Sequence, residues 1–292
     1  MSGAWQTLRT WARMVKFSHS VFALPFALSG AVLAAASHGI DARQVGWIVL
    51  AMFGARNAAM GFNRLVDHRF DAANPRTADR ELPAGRLSRT ATWLVTLGLS
   101  ALFVAASFKL GPLCGKLSPL ALFIVFGYSL TKRFTWLSHV FLGLALAVAP
   151  VGGWVAVAGG FSPLAWMLGA AVLLWVAGFD VIYACQDTDF DRRAGLFSIP
   201  ARFGATGALF AARAFHLAAW LMLLAVGWWG QLHPVYWIGI GAIGLLLAQQ
   251  HRLVGPEDLS RVGVAFFNLN GLIAVLYFLN VLAAVLAGRH WS

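Results

Sequence analysis

Charge is what this sequence has least of. Asp, Glu, Lys and Arg together make up 11% of its 292 residues, whereas soluble domains carry about 25%. Such a chain cannot clothe a soluble surface. With 60% hydrophobic residues and a mean hydropathy of +0.73, it reads as a polytopic helical membrane protein. Cysteine is nearly missing as well: Cys114 and Cys185 stand far apart and match neither a metal nor a redox spacing. Low-complexity tracts, a strong repeat and any soluble module are also absent, so residues 1–292 are read as one domain. A net charge of +11 would suit nucleic acid, but the basic residues fall in loops between apolar runs, which argues against that partner. Arg9, Arg13 and Lys16 precede the first apolar run with no small-residue cleavage site after it. That run is therefore read as a span and not as a signal peptide.

Nine runs approach the roughly 20 apolar residues that a helix needs to cross the hydrocarbon. They lie at about 17–38, 44–66, 91–110, 117–132, 136–159, 163–186, 205–230, 233–250 and 263–287. The expected fold is all-α, with nine transmembrane helices in one bundle. Gly159-Gly160-Phe161-Ser162-Pro163 and Gly230-Gln231-Leu232-His233-Pro234 read as tight turns between spans. With the N-terminus placed in the cytosol, 16 of the 22 Lys and Arg fall inside. Four fall outside (Arg43, Lys109, Lys116 and Arg289), and Arg56 and Arg213 lie within spans. That bias is the one the positive-inside rule expects, and an even number of spans would break it. Pro25 and Pro150 lie inside spans and are expected to kink them, while glycines 143, 152, 153, 169 and 178 are expected to let helices pack closely.

The little acid present is concentrated. Eight of the 11 acidic residues lie between Asp67 and Glu81 or between Asp180 and Asp191, at the cytosolic ends of the second and sixth spans. Residues four apart share a helix face, so Asn63, Asp67 and Asp71 form one stripe. Asp187 and Asp191 form a second pair, with Asp180 two turns deeper. Paired carboxylates are hard oxygen ligands that suit Mg²⁺, which completes its shell with water and substrate phosphates. Two facing pairs would clamp a diphosphate through bridging metals, and Arg76, Arg80, Arg86, Lys132, Arg133, Arg192 and Arg193 are at hand to neutralise it. The alternative is that these acids are solvated loop charges balancing the nearby arginines.

The same residues carry a resemblance. Asn63-Arg-Leu-Val-Asp67-His-Arg-Phe-Asp71, with Asn74-Pro-Arg-Thr-Ala-Asp-Arg-Glu-Leu-Pro-Ala-Gly-Arg-Leu-Ser88, resembles the first signature of the UbiA family of intramembrane aromatic prenyltransferases. Asp180-Val-Ile-Tyr183-Ala-Cys-Gln-Asp187-Thr-Asp-Phe-Asp191, followed by Gly195-Leu-Phe-Ser198-Ile-Pro-Ala-Arg-Phe-Gly204, resembles the second. Tyr128-Ser-Leu-Thr-Lys132-Arg133 is similar to the family's basic motif after span four. Arg64 stands where many members have Asp, which leaves Asn63, Asp67 and Asp71, with Asp187 and Asp191, as candidate metal ligands. The resemblance implies a nine-helix bundle in the cytoplasmic (inner) membrane, with a lateral opening and an active site facing the cytosol. It also implies Mg²⁺ as cofactor, a polyprenyl diphosphate as donor and an aromatic acid as acceptor in quinone biosynthesis. Departure of the diphosphate would create an allylic cation that needs a dry, aromatic-lined pocket. Arg76, Arg80, Lys132 and Arg192 are the candidates for diphosphate binding.

For the acceptor, Lys16, Ser18 and His19 at the entrance of the first span are candidates, as is Arg133. The first three also suit a bland role, with Lys16 snorkelling to the interface and His19 packed. Many 4-hydroxybenzoate enzymes of the family have Asp-Lys-Pro here. Val15-Lys-Phe-Ser-His-Ser20 instead resembles the branch assigned to menaquinone made by the futalosine route, so 4-hydroxybenzoate and a dihydroxynaphthoate both stay open. Asp180 and Tyr183 either orient the phenol and accept its proton or link helices. His68, His139, His216 and His251 show no ligand spacing and are read as interfacial or packed. A transporter using intramembrane carboxylates is the rival reading, but it would want acids at span centres, and only Asp180 lies deep.

Overall fold

A computed structural model describes residues 10–11 and 23–288. All regular structure among them is helical, in the order α1 (Leu24–His38), α2 (Ala42–Val66), α3 (His68–Ala73), α4 (Arg89–Leu110), α5 (Pro112–Thr131) and α6 (Ser138–Ala158). There follow α7 (Pro163–Ala184), a 3₁₀ turn (Cys185–Asp187), α8 (Thr188–Arg193), α9 (Ile199–Trp229), α10 (Val235–Arg252), a π-helical stretch (Val264–Leu269) and α11 (Asn270–Gly288). Side chains place the starts. Ser88, Ser162 and Ser198 each accept a hydrogen bond from a first-turn amide, and Asp41 forms a capping box with Gln44.

Each of the nine predicted runs is helical over most of its described part. Seven of the helices are long and apolar enough to cross a membrane. The other two runs give α1, of 15 described residues, and α10, which ends in Gln249, Gln250, His251 and Arg252. Large apolar side chains such as Phe123, Trp228 and Leu245 point outward, which is costly in water and neutral against lipid tails. The chain is an integral membrane protein.

Neighbouring helices close into a ring: α2 packs on α4, α4 on α5, α5 on α6, α6 on α7, α7 on α9, α9 on α10 and α10 on α11, which returns through α1 to α6. Glycine permits the tightest crossings. A Cβ at Gly30 would strike the Pro150 carbonyl, one at Gly153 that of Ala27, and one at Gly143 that of Leu173. Gly169 and Gly178 are likewise closed in, by Val151 and His216. Gly152 departs from the expectation, because the space beside it is open. Pro150 does lie inside a helix, whereas Pro25 sits in the first turn of α1, where its missing N–H costs nothing. Gly204, at φ 71° inside α9, turns the helix just before the expected start of the seventh span.

Candidate active site

The first acidic window starts in the last turn of α2. That helix stops at Val66 because Asp67 leaves helical geometry (φ −89°, ψ 3°), and the chain re-enters a helix at once as α3. The expected continuous stripe is thus broken at Asp67. The four-residue spacing survives, because Asp71 N still donates to Asp67 O at 2.8 Å and Asn63 Nδ2 donates to Asp67 Oδ2 at 2.8 Å. The second window is jointed in the same way. Asp180 and Tyr183 lie on α7, Asp187 closes the 3₁₀ turn, and Asp191 is carried by α8.

The loop after α3 stitches the windows together. Asn74 Nδ2 donates to Asp187 Oδ1 at 3.0 Å, Arg76 Nε to the same oxygen at 2.8 Å, and Arg76 Nη2 to Asp187 Oδ2 at 2.5 Å. Arg80 Nη1 donates to Asp71 Oδ1 at 2.7 Å. Lys132 and Arg133, adjacent in sequence, face opposite windows. Lys132 Nζ lies 3.6 Å from Asp191 Oδ2, while Arg133 Nη2 donates to Asp67 Oδ1 at 2.9 Å and to the Val66 carbonyl at 2.8 Å. These groups enclose a polar cavity of about 200 Å³.

The carboxylates are buried but not saturated. Asp71 is 6% exposed and Asp191 2%, so each needs partners for its charge. Yet Asp71 Oδ2 and Asp191 Oδ2 have no hydrogen bond; Arg64 Nη1 is 3.8 Å from the first. Burial pushes the Asp67 carboxyl up to about 6, with Arg133 opposing and the charge of Asp71 assisting. Burial works against charge on Arg76 and Lys132 too. It is outweighed on Arg76 by the hydrogen bond and charge of Asp187, and on Lys132 by Asp191, Asp180 and Asp187, so both are raised.

A divalent cation fits this chemistry. The two buried carboxylate oxygens without a hydrogen bond are hard donors on the wall of one cavity. Among the described residues no three acidic, histidine or cysteine side chains converge on a point. A cation here would take single oxygens from separate carboxylates and complete its shell with water or phosphate, as Mg²⁺ does and structural zinc does not.

Beyond the polar cavity lies an apolar chamber of about 550 Å³, and Tyr128 and Leu142 line both. Phe179 and Phe266 form part of its wall, and the Tyr183 ring lies against Phe266 with centroids 4.2 Å apart. Phe266 sits on the π-helical stretch, a distortion that occurs often at functional sites. Gly152 also lines the chamber, which accounts for the open space beside it. Among the described residues, one with a charged side chain, Arg56, belongs to this wall.

Asn63, Asp67, Asp71, Arg76, Arg80, Lys132, Arg133, Asp180, Tyr183, Asp187 and Asp191 all line the polar cavity. Arg192 does not. It is exposed and its Nε donates to the Ala201 carbonyl at 2.9 Å, because the residue after Asp191 turns off the inward face of α8. Arg133 is engaged by Asp67, Val66 and, through Nη1, the Ser129 carbonyl, so its donors already serve as a tether. Lys16, Ser18 and His19 lie outside the described residues.

Sequence reasoning missed three contributors. Asn74 is a site residue, although along the chain it stands out only as part of a loop. Arg56 carried a usable signal: a charge inside a span, seven residues before Asn63 and hence on the same face. His139 carried none, because its partner is 41 residues away. Its Nδ1 lies 2.6 Å from Asp180 Oδ2.

Comparison with known proteins gives concordant results. The family model described as the UbiA prenyltransferase family matches residues 23–272. The chain is 31% identical over 243 residues to 4-hydroxybenzoate octaprenyltransferase from Photobacterium profundum, covering 82% of each chain. Its fold superposes on the apo structure of a UbiA homolog from Aeropyrum pernix K1 with a TM-score of 0.84, at 34% identity and over 92% of this chain and 98% of that one. A UbiA homolog from Archaeoglobus fulgidus bound to DMAPP and Mg²⁺ shares the fold, with a TM-score of 0.73 at 18% identity over 94% and 99% of the two chains.

Proposed function

Because the chain belongs to the UbiA prenyltransferase family and is a prenyltransferase, we propose that it moves a polyprenyl group from polyprenyl diphosphate onto an aromatic carboxylic acid. The acceptor is 4-hydroxybenzoate or a dihydroxynaphthoate, and the product serves ubiquinone or menaquinone synthesis. The observation that carries this reading is a polar cavity built from both acidic windows, tied across 113 residues by Asn74 and Asp187, that shares walls with an apolar chamber. A diphosphate head and a hydrocarbon tail need that pairing of environments.

Asp67, Asp71, Asp187 and Asp191, with Asn63, are the residues that would hold Mg²⁺. Bound there, Mg²⁺ supplies Lewis-acid charge that makes diphosphate a good leaving group. Arg76, Arg80 and Lys132 line the same cavity and offer guanidinium and ammonium donors to the diphosphate oxygens. The tail lies in the apolar chamber. At the junction the faces of Tyr183, Phe266 and Phe179 stabilise positive charge on the allylic carbon, while the chamber's apolar walls keep water from it. Asp180 and Tyr183 orient the acceptor hydroxyl. Arg133 on the polar cavity wall and Arg56 on the chamber wall are the cations offered to the acceptor carboxylate. The charge bias of the loops supports nine spans, a cytosolic N-terminus and a site facing the cytosol from the inner membrane.

The test is a paired assay of the purified protein in lipid with Mg²⁺ and labelled polyprenyl diphosphate. One sample holds 4-hydroxybenzoate and the other 1,4-dihydroxy-6-naphthoate. Product in either assigns the acceptor. Intact label in both would reject the aromatic-acid assignment and return attention to transport by intramembrane carboxylates.

A further inference from the structure

Asp180 is held by a residue that the reaction scheme above does not use. His139, at the start of α6, is fully buried, and its Nδ1 lies 2.6 Å from Asp180 Oδ2. Its other ring nitrogen, Nε2, faces the backbone N–H of Ile199 at 3.3 Å. An amide N–H only donates, so Nε2 accepts, the imidazole proton sits on Nδ1, and Nδ1 donates to Asp180. The histidine thus joins three elements, α6, α7 and the start of α9, at one carboxylate. Oδ2 is taken up by that bond. Asp180 itself, 19% exposed at its side chain, still lines the polar cavity near the mouth of the apolar chamber.

We propose that His139 is a positioning residue that locks Asp180 with Oδ1 turned to the acceptor, so that Asp180 orients the acceptor hydroxyl and takes its proton during attack. The inference rests on the aromatic-acid reading given above. Once the C1–O bond has broken and its pair has left with diphosphate, the ring carbon gives its electron pair to C1 of the allylic cation. The hydroxyl proton passes to Asp180 Oδ1, leaving a ring ketone. Loss of the ring hydrogen and return of the proton from Asp180 restore the phenol. One bond is exchanged, one proton is released to solvent, and the His139–Asp180 pair ends as it began. Without the imidazole, Asp180 could rotate toward Lys132 or Tyr128, which lie on the same wall.

The experiment compares full-length wild type, His139→Leu and His139→Asn in lipid with Mg²⁺, using whichever of the two aromatic acids wild type prenylates. Leu removes both hydrogen bonds, whereas Asn restores a donor where Nδ1 was. Expected for His139→Leu is a roughly 10–100-fold loss in kcat/KM for the acceptor, the range for removing a buried orienting partner, with KM for the diphosphate within about 2-fold of wild type. Asn should recover most of that loss, and in an Asp180→Asn background the Leu change should have no further effect. A rise in KM for the diphosphate as large as that for the acceptor, no rescue by Asn, or losses that simply add would overturn the proposal, because a generic packing defect behaves in those ways. If wild type prenylates neither acid, the aromatic-acid reading fails and the proposal falls with it. Wild-type turnover with an unaffected Leu variant sinks the proposal alone.

Discussion

Replacing Asp187 separates a structural tie from a catalytic one. Its carboxylate accepts three hydrogen bonds, one from Asn74 and two from Arg76. In Asp187→Asn the side chain keeps its shape and one acceptor oxygen, so it loses only the contact in which its new amide meets an Arg76 donor. Arg76 remains paired with the Tyr183 hydroxyl at 2.8 Å and is 31% exposed, so water compensates the rest. The stability cost should therefore be about 1.5–3 kcal/mol, the worth of one charge-assisted hydrogen bond. Catalysis should suffer more. Loss of a ligand charge from the diphosphate site is worth about 3–4 kcal/mol of transition-state stabilisation, or a fall of roughly 10²–10³ in turnover. The assay follows transfer of labelled prenyl group in lipid at saturating Mg²⁺, beside thermal unfolding of the same sample. If Asp187→Asn melts a few degrees low yet turns over within about 3-fold of wild type, Asp187 is merely a strut. The assignment of the acidic windows to metal and diphosphate would then be wrong.

Three further outcomes follow from the geometry. The Asp67 carboxyl titrates near 6 in the fold against about 4 in an unfolded chain, so its contribution to stability is present below pH 4 and is lost as pH rises through 6. Metal-free protein should accordingly lose melting temperature between pH 4 and 6 by more than Asp67→Asn does, and Mn²⁺ binding measured by calorimetry should weaken as pH falls below about 6. An unchanged difference between the two proteins across that range would exclude Asp67 as the titrating group. Gly152→Phe should project into the apolar chamber and raise KM for long polyprenyl donors about tenfold or more, while sparing a short donor such as DMAPP. Equal effects on both donors would place the tail elsewhere. Gly30→Leu should cost about 3 kcal/mol or more, because its Cβ meets a backbone carbonyl that cannot swing away, and loss of folded protein in detergent would report it.

Much of this was legible in one dimension because lipid makes charge expensive. Apolar runs announce helices, and acids that survive in such a chain mark a candidate site. The helices, the family signatures and nearly all of the cavity-lining charges could be read in this way. Boundaries blurred where backbone joints were local, at Asp67 and at the 3₁₀ turn of Asp187, since spacing alone does not distinguish a straight helix from a jointed one. Arg192 shows the same limit. Four cations in a row of candidates look alike in sequence, and only the rotation of α8 turns this one out to the Ala201 carbonyl.

What the sequence by itself determined, then, is the class of the protein: a helical membrane prenyltransferase whose few acids are gathered in two windows. Tertiary structure alone decided which groups meet. It joined Asn74 and Arg76 to Asp187, set Lys132 and Arg133 against opposite windows, turned Gly152 into open wall, and seated His139 against Asp180. The physical reason is that hydropathy and spacing are properties of a residue and its near neighbours along the chain. A hydrogen bond between residues 41 or 113 positions apart depends on the crossing of helices, and those crossings are set by packing at glycine and proline contacts far from the site.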